Sequence, residues 1–224
     1  MDHECTQVKN VLFGILLAVT ALFLAGCPSL WNAKAEDKPA TAEELLKAGE
    51  ERFEKKDYAA AIDRFEHLKS RHVDFNRMPE VYLRIADSLY HQGSYDKANG
   101  RYLQFLELYP NHKEVPRARF QIAMAYFHQI KNVDLDTRII QQAAQSFKKV
   151  AESPDAGEWG KKAEEKRKEC LKKLAEKELY KARTYLSTSN YKAARLAAKR
   201  ILEEYPKLGY DEEADKLIKK IKDK

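Results

Sequence analysis

A short pattern of residues that recurs along the chain constrains its fold more strongly than any other feature. Each copy has a small residue preceded, in most cases, by a tyrosine and followed by an aromatic or alanine residue. The copies are Tyr58-x-x-Ala61-x-x-x-Phe65, Tyr95-x-x-Ala98-x-x-x-Tyr102, Tyr191-x-x-Ala194-x-x-x-Ala198 and, without the tyrosine, Ala143-x-x-x-Phe147. The first two copies lie 37 residues apart, and a period of that length indicates a stack of similar units.

Small residues and prolines recur in step with this pattern. In three copies a second small residue precedes the alanine by 12 positions, at Gly49, Ala86 and Ala182. Two antiparallel helices approach closely only where their side chains are small, so we expect each pair to mark the crossing of a helix A and a helix B. Pro110 and Pro206 follow the alanine by 12 positions and end helix B, because proline has no amide N–H.

These spacings match those of tetratricopeptide (TPR) repeats, so we predict an all-α fold, an α-solenoid of about four to five TPR helical hairpins. The TPR domain is predicted to cover residues 42–224, with repeats at about 42–75, 79–112, 116–154 and 175–208 and a capping helix at 210–222. The predicted helices are 42–56, 58–71, 79–92, 95–108, 116–130, 138–152, 158–188, 191–205 and 210–222. We expect 158–188 to be one long helix, either continuous or broken once near Leu174.

The N-terminal part of the chain carries an export signal. An apolar run begins at Val11 and ends in Leu24-Ala25-Gly26-Cys27, which resembles the lipobox of bacterial lipoproteins. The resemblance implies that residues 1–26 are a lipoprotein signal peptide and that Cys27 carries a diacylglyceryl group and an N-acyl chain such as palmitate. Residues 27–41 would then be a lipidated, flexible tether that holds the folded part near a bilayer.

Two features of the same region bear on this interpretation. Asp2 and Glu4 lie where signal peptides usually carry an excess of positive charge, so a plain signal anchor is the alternative. Pro28 follows the cysteine, and by the usual sorting logic of lipoproteins a residue other than aspartate there favours the outer membrane.

Composition excludes several classes of protein. The formal net charge is +6, and acidic and basic residues alternate along most predicted helices, as is typical of solvated helix faces. Since the chain is exported, we expect no nucleic-acid partner. Cys170 is the thiol that remains after removal of Cys5 and lipidation of Cys27, so no internal disulfide can hold the fold together. We interpret Cys170 as a small side chain and not as a nucleophile.

The sequence contains little that could support catalysis. It lacks G-x-S-x-G, H-E-x-x-H and phosphate-binding glycine loops, so we predict that the protein is not an enzyme and has no catalytic residues. The histidines after the signal peptide are scattered, at His67, His72, His91, His112 and His128. Asp134 and Asp136 lie in an insertion of the third repeat, but two carboxylates are too few for a calcium loop. We therefore predict no metal site and no cofactor other than the lipid.

Several segments together resemble the BamD family, the lipoprotein subunit of the machinery that assembles β-barrels in the outer membrane. They are Leu106-Glu107-Leu108-Tyr109-Pro110-Asn111-His112, Asn132-Val133-Asp134-Leu135-Asp136-Thr137, Leu174-Ala175-Glu176-Lys177-Glu178 and Glu204-Tyr205-Pro206. The resemblance implies a lipid anchor in the outer membrane, a position at its periplasmic face and two kinds of partner. These partners are unfolded outer-membrane protein clients and a barrel-forming subunit with periplasmic repeats.

The resemblance also places partner docking near the fourth repeat, on Arg183, Tyr185, Arg195 and Lys199. The family usually has an arginine nine residues before the proline that closes this repeat. Ala197 takes that position here, with basic residues on either side.

The repeat register predicts which residues of the A helices face a peptide-binding groove. Three positions per repeat point inward, and they combine aromatic and aliphatic side chains with acids. They are Leu46, Glu50, Phe53, Leu83, Asp87, Tyr90, Phe120, Met124 and Phe127. Such a groove would suit an extended peptide with an aromatic end, because aromatic anchors bury a large area at low entropic cost. The alternative is that several of these side chains pack between repeats.

The function predicted from the sequence is therefore binding. The leading interpretation is a lipid-anchored, periplasm-facing TPR scaffold of the barrel-assembly machinery. The alternative is another TPR lipoprotein of the envelope, either a pilotin-like protein or an adaptor that coordinates cell-envelope proteins.

Overall fold

The structure, a computed structural model, describes residues 40–130 and 137–222. The predictions for Cys27, for the tether up to residue 39 and for the acidic turn with Asp134 and Asp136 lie outside the described residues. The described helices belong to a compact unit that begins at Thr41. They are α1 (Ala42–Glu54), α2 (Tyr58–Arg71), α3 (Met78–His91), α4 (Tyr95–Leu108), α5 (Val115–His128), α6 (Thr137–Ala151), α7 (Glu158–Ser187), α8 (Tyr191–Glu204) and α9 (Asp211–Lys222).

Each helix packs against the next one along the chain, which makes a succession of antiparallel hairpins. The residues that the structure describes contain no β-strand, so the prediction of an all-α stack of TPR hairpins is confirmed. Among those same residues, no helix has both the length and the apolar character that crossing a membrane requires.

Local signals in the sequence set the helix ends. Thr41 begins α1 with a capping box. The backbone N–H of Glu44 donates to the Thr41 hydroxyl, and the backbone N–H of Thr41 donates to the Glu44 carboxylate. Asp57 and Asn190 cap α2 and α8 in the simpler way, by accepting one backbone N–H. The helix bounds consequently lie within two residues of those predicted.

The turns inside three hairpins share one backbone feature. The residue two positions before the first residue of helix B has a positive φ, at Lys56 (59°), Gly93 (76°) and Ser189 (59°). Because side chains disfavour this left-handed region, glycine suits the turn best, yet only the second hairpin has it. The same turn geometry therefore recurs in spite of different residues.

Close crossing of the helices in a hairpin depends on small residues, as predicted. A Cβ atom added to Gly49 in α1 would lie 2.3 Å from Cε1 of Phe65 in α2. The Phe65 ring is fully buried and occupies the space left by the absent side chain. In the fourth hairpin the equivalent residues are Ala182 and Ala198, both buried, so two methyl groups replace the glycine–phenylalanine pair.

Helix α7 is continuous for 30 residues, so the prediction of a long helix is confirmed and the alternative of a break near Leu174 is excluded. Leu174 and Ala175 are both buried in a core cluster with α5 and α6, whereas Leu179 and Ala182 lie in a second cluster with α8 and α9. Because the residues at the expected break already have core partners in a straight helix, nothing in the packing favours a break. One helix thus closes the third repeat and serves as helix A of the fourth.

Candidate functional site

A polar pocket of about 560 Å³ lies between α3 and the start of α5, the A helices of the second and third repeats. We call it the A-side pocket. Four cationic side chains and three carboxylates line it, together with a histidine. Its lining is Asn76, Arg77, Pro79, Glu80, Leu83, Arg84, Asp87, His112, Lys113, Glu114 and Arg117.

Asp87 organises the inner wall of the A-side pocket. It is 6% exposed, and its carboxylate accepts a hydrogen bond of 2.5 Å from the buried hydroxyl of Tyr102. Arg117 donates to both oxygens of the same carboxylate, at 3.1 and 3.2 Å. The three side chains belong to α3, α4 and α5, so one carboxylate joins the second repeat to the third.

Charges and burial explain the pKa shifts in this group. Burial, and then the Asp87 carboxylate, raise the pKa of Tyr102, so its hydroxyl stays protonated and donates. Burial alone would lower the pKa of Arg117, but Asp87 and Glu114 outweigh it and raise the pKa above its ordinary value. Arg117 is therefore a permanent cation held at the pocket wall.

A second arginine is fixed in a similar way. Nε of Arg84 donates to Oε1 of Glu50 in the preceding repeat at 2.7 Å, and its guanidinium lies 5.0 Å from the centre of the Phe53 ring. Planar guanidinium groups stack well on aromatic faces, so Phe53 and Glu50 together orient Arg84 at the pocket. The sequence predicted Glu50 and Phe53 as site residues but did not identify Arg84, which contacts both of them.

Four residues that the register assigned to an open groove are buried instead. Leu46, Leu83 and Phe120 are 2%, 4% and 9% exposed, and Asp87 is equally buried. The physical reason is that each lies where an A helix meets its neighbours: Phe120, for example, contacts the rings of Phe147 and Trp159. Leu83 and Asp87 still line the A-side pocket, but as its wall and not as open sockets.

The remaining predicted groove residues are partly exposed. Met124 and Phe127 pack at the margin of the core cluster that α5, α6 and α7 form, and Lys166 lies 5.3 Å from the centre of the Phe127 ring. Burial raises the pKa of the Tyr90 hydroxyl to about 12, so it stays neutral. A peptide-binding role for these residues stays a prediction.

A continuous set of ring contacts runs along the turns of the first three hairpins, and we call it the ring ladder. Its repeating unit is a histidine stacked on the tyrosine that opens the preceding helix B: His91 on Tyr58 at 5.3 Å, and His128 on Tyr95 at 5.5 Å. Edge contacts connect the two stacks. The other members are Phe53, Tyr90 and Phe127.

The ring ladder corrects the view that the histidines are scattered. His91 and His128 are 37 residues apart, which is the spacing of the two tyrosines, so they occupy equivalent positions in the repeat. That shared period was the signal that could have identified them. Burial, and then the nearby Lys166, lower the pKa of His128, which favours a neutral ring in its stack.

The four residues predicted for partner docking lie at the C-terminal end. Arg195 and Lys199 are exposed on α8, where they line a shallow pocket of about 420 Å³ with Leu196, which is 54% exposed. Tyr185 is also exposed near the end of α7. Arg183 is already paired with Glu213 of α9, through an Nε–Oε1 contact of 3.0 Å.

Ala197, at the position where the family resemblance led us to expect an arginine, faces the core cluster of α7, α8 and α9. A long cation at that position would point into the interior of this helix packing. Arg195 and Lys199 lie on the opposite, exposed side of α8, where Lys192 lines the same shallow pocket, so this side of the helix offers basic contacts that Ala197 does not.

Cys170 and possible metal-ligand groups were the remaining places to look for a reactive centre. Cys170 is fully buried in the core cluster of α5, α6 and α7, and burial raises the pKa of its thiol to about 12. Its thiol is therefore protonated and inaccessible, which agrees with its interpretation as a small core side chain. Within residues 40–130 and 137–222, no three His, Cys, Asp or Glu side chains form a group that could hold a metal ion.

Comparisons with known proteins relate the chain to one family. Residues 38–224 match the outer membrane lipoprotein family YfiO. The outer membrane protein assembly factor BamD of Caulobacter vibrioides is 25% identical over 200 residues, which cover 89% of this chain and 65% of that protein. The factor of the same name from Neisseria gonorrhoeae is 24% identical over 217 residues, which cover 89% of this chain and 80% of that protein.

The chain thus spans slightly less than two thirds of the Caulobacter protein. Among solved structures, the TPR2AB-domain:pHSP90-complex of yeast Sti1 has a TM-score of 0.45 and 16% identity, over 74% of this chain and 64% of that one. The family match covers most of the chain, and the helices of the chain form repeats in the predicted order. The protein belongs to the outer membrane lipoprotein family YfiO, the family of BamD.

Proposed function

We propose that the protein is a lipid-anchored assembly factor for outer-membrane β-barrel proteins. It faces the periplasm, binds unfolded client segments in the A-side pocket and docks a barrel-forming subunit with periplasmic repeats through α8. Family membership and the names of both relatives support the assembly role. The A-side pocket is the observation that carries the binding proposal.

The pocket suits the end of an extended chain. Its carboxylates already accept hydrogen bonds from their own arginines, with Arg117 on Asp87 and Arg77 on Glu80, so they do not repel an incoming anion as strongly as free acids would. Arg84, Arg117 and the exposed Lys113 then present positive charge to a carboxylate. Guanidinium groups recognise carboxylates with two parallel hydrogen bonds, which favours a free chain end.

Peptide binding tests this proposal. A short labelled peptide that ends in phenylalanine with a free carboxylate is titrated with the full chain, and fluorescence anisotropy reports the affinity. We expect Lys113→Glu to weaken binding by about tenfold, because it reverses a charge at the pocket without breaking an internal pair. The peptide with a C-terminal amide should also bind more weakly.

Lys47→Glu is the matched control, because it makes the same charge change on an exposed position of α1 outside the pocket. Equal affinities for the wild-type chain and Lys113→Glu would exclude the A-side pocket as the site. Equal affinities for the carboxylate and amide peptides would exclude recognition of the chain end.

Docking through α8 rests on exposed apolar surface next to basic charge. Leu196 lies between Arg195 and Lys199 on the outer side of the helix, and aliphatic residues with a basic rim favour a partner surface that is apolar with acidic neighbours. We expect Leu196→Glu to prevent co-purification of a large barrel subunit from native membranes. Val73→Glu is the control, since Val73 is even more exposed but lies between α2 and α3.

The same purification distinguishes the proposed role from its alternative. Recovery of a barrel with periplasmic repeats supports the assembly role. Recovery of a secretin or a peptidoglycan enzyme in its place would identify a different envelope adaptor.

The lipid anchor is tested separately. Cys27→Ala removes the proposed acyl acceptor, so the chain should lose its membrane association, or remain unprocessed, in cell fractionation with mass spectrometry of its N-terminal peptide. A variant that is still processed, placed at the outer membrane and functional would exclude a role for the lipid.

A further inference from the structure

A second groove lies on the other side of the second and third repeats, and nothing in the proposed function uses it. It lies over α5 between the B helices α4 and α6, has a volume of about 830 Å³, and we call it the wide groove. Its lining is Leu103, Leu106, Arg119, Ile122, Tyr126, Arg138, Gln141, Gln142, Gln145, Ser146, Lys149, Val150 and Ser153.

The repeat register identifies an equivalent groove one unit earlier, over α3 between α2 and α4. This narrow groove has about 410 Å³, half the volume of the wide groove. Its lining is Ile62, Glu66, Ile85, Leu89, Lys97, Gly100, Arg101 and Gln104. A shift of 37 residues carries Ile85 to Ile122 and Leu89 to Tyr126, and the longer spacing of the third repeat carries Arg101 to Ser146 and Gln104 to Lys149.

An ion pair closes the narrow groove. Glu66 of α2 forms an ion pair with Arg101 of α4 across the groove, with 2.9 Å between Oε1 and Nη2, and it also pairs with Lys69 of its own helix. Lys69 in turn lies 5.3 Å from the centre of the Tyr82 ring. Charged side chains that cross from one B helix to the next therefore fill this junction.

The wide groove has lost every member of that ion-pair network. Leu103 takes the place of Glu66, Leu106 that of Lys69 and Ser146 that of Arg101. Leu103 is 53% exposed, so a large apolar side chain faces solvent where the previous junction has a carboxylate. The same fold thus has a junction that an ion pair crosses in one repeat and a wider, more apolar junction in the next.

The charged side chains in the described lining of the wide groove are all basic. Arg119, Arg138 and Lys149 lie along it, and none of its described lining residues is acidic. Arg119 pairs with Asp155 at 3.2 Å, and Asp155 itself is exposed at the margin. An occupant with carboxylates near its apolar side chains is therefore favoured over a neutral or basic one.

The α6 side of the wide groove offers hydrogen bonds. Gln141, Gln142 and Gln145 are exposed there, and each amide can both donate and accept. A helix satisfies its own backbone groups, whereas an extended segment leaves N–H and C=O groups that need partners. The glutamines therefore favour an extended occupant.

We propose that the wide groove binds an extended acidic segment of a partner protein, with leucine-sized side chains on Leu103, Leu106 and Ile122 and carboxylates beside Arg138 and Lys149. This site is separate from the A-side pocket and from α8, so it adds a third surface to the protein. Its occupant inserts apolar side chains where the narrow groove has its own ion pair.

The test uses the full chain and a labelled, capped peptide in which leucine alternates with aspartate. The double variant Leu103→Glu/Ser146→Arg restores the ion pair of the narrow groove and should weaken binding by at least about tenfold. Lys149→Gln leaves the packing intact and should weaken binding by about threefold, and high salt should weaken it further. Circular dichroism and the urea midpoint check that each variant is folded.

Glu66→Leu/Arg101→Ser is the matched control, because it changes the equivalent charges while leaving the wide groove unchanged, and it should bind as the wild-type chain does. The proposal is wrong if Leu103→Glu/Ser146→Arg binds the peptide normally, or if the same peptide with lysine for aspartate binds equally well. If Lys113→Glu binds the peptide more weakly and the wide-groove variants do not, the peptide binds in the A-side pocket and the proposal is wrong. If the wild-type chain is a dimer and Leu103→Glu/Ser146→Arg is a monomer, the occupant of the wide groove is a second copy of this chain.

Discussion

The first three repeats and the fourth repeat are joined to their neighbours by different kinds of contact. In the first three, arginines of one A helix bind carboxylates of the previous one: Arg84 binds Glu50, and Arg117 binds Asp87. The ring ladder adds a second connection along the turns. In the fourth repeat, the long helix α7 makes the connection itself, through small buried side chains.

This difference teaches that a regular backbone period does not require regular contacts. The polar junctions of the first three repeats leave charged groups beside solvent. Replacement of Glu66 and Arg101 by Leu103 and Ser146 accompanies the change from the narrow groove to the wide groove. The apolar contacts that α7 makes with its neighbours lie inside the core, so they leave no comparable groove at the surface. The surfaces proposed for binding accordingly lie on the N-terminal repeats and on the outer side of α8.

The largest effect is expected where a polar junction is most deeply buried. Asp87→Ala removes the acceptor of Tyr102 and Arg117 together, and we expect a loss of about 3 kcal/mol in the free energy of unfolding, measured with urea. Glu178→Ala in α7 should lose about 1 kcal/mol, since its partners Lys181 and Arg200 reach solvent and can hydrate. Equal losses would show that burial of the partners does not distinguish the two regions.

The close crossing of the first hairpin should be the next most sensitive feature. Gly49→Ala places a methyl group against the buried Phe65 ring, and we expect a loss of about 2 kcal/mol in spite of the better helix propensity of alanine. Gly100→Ala is the control: it is also in a helix, but nothing lies within 4 Å of the new Cβ, so it should gain up to about 1 kcal/mol. A neutral Gly49→Ala would mean that Phe65 can move aside.

The turns inside the hairpins allow a smaller test. Gly93→Ala should lose about 1 kcal/mol, because alanine disfavours the positive φ of this turn. Lys56→Gly and Ser189→Gly relieve the same strain in the first and fourth hairpins, and each should gain less than that, since glycine also increases the entropy of the unfolded chain. A gain in one hairpin but not the other would show that the turns are not equivalent.

The smallest effect is expected for the exposed pair between α7 and α9. Arg183→Ala breaks the contact with Glu213, yet both side chains are largely hydrated, so the free energy of unfolding should change by less than about 0.5 kcal/mol. If Arg183 contributes to docking, co-purification of the barrel subunit will decrease at unchanged stability. A large loss of stability would instead make Arg183 a structural residue comparable to Arg117.

The helices could be predicted from the sequence because their signals are local. Caps such as Thr41 and Asn190, and prolines after helix B, mark where each helix begins or ends, and the spacing of small residues marks the crossings. How deeply each side chain is buried was harder to predict. The register places Leu83 and Phe120 on the inner side of their helices, but it does not say whether a neighbouring repeat covers them.

The site was only partly predictable for the same reason. Glu50, Phe53 and Asp87 follow from their position in the repeat, whereas Arg84 and Arg117 come from the following repeat and occupy different positions in their helices. No single spacing connects such partners. The wide groove was missed because the sequence shows that Leu103 and Ser146 replace Glu66 and Arg101, but only the structure shows that Glu66 and Arg101 form an ion pair across a groove.

The continuity of α7 has a consequence for how the protein is made and degraded. At about 1.5 Å per residue its 30 residues extend for roughly 45 Å, and both halves are needed to cover different cores. A single cleavage near Leu174 would uncover both at once. The C-terminal hairpins are thus not a detachable module: a protease or a truncation that removes the fourth also exposes the apolar interior of the third.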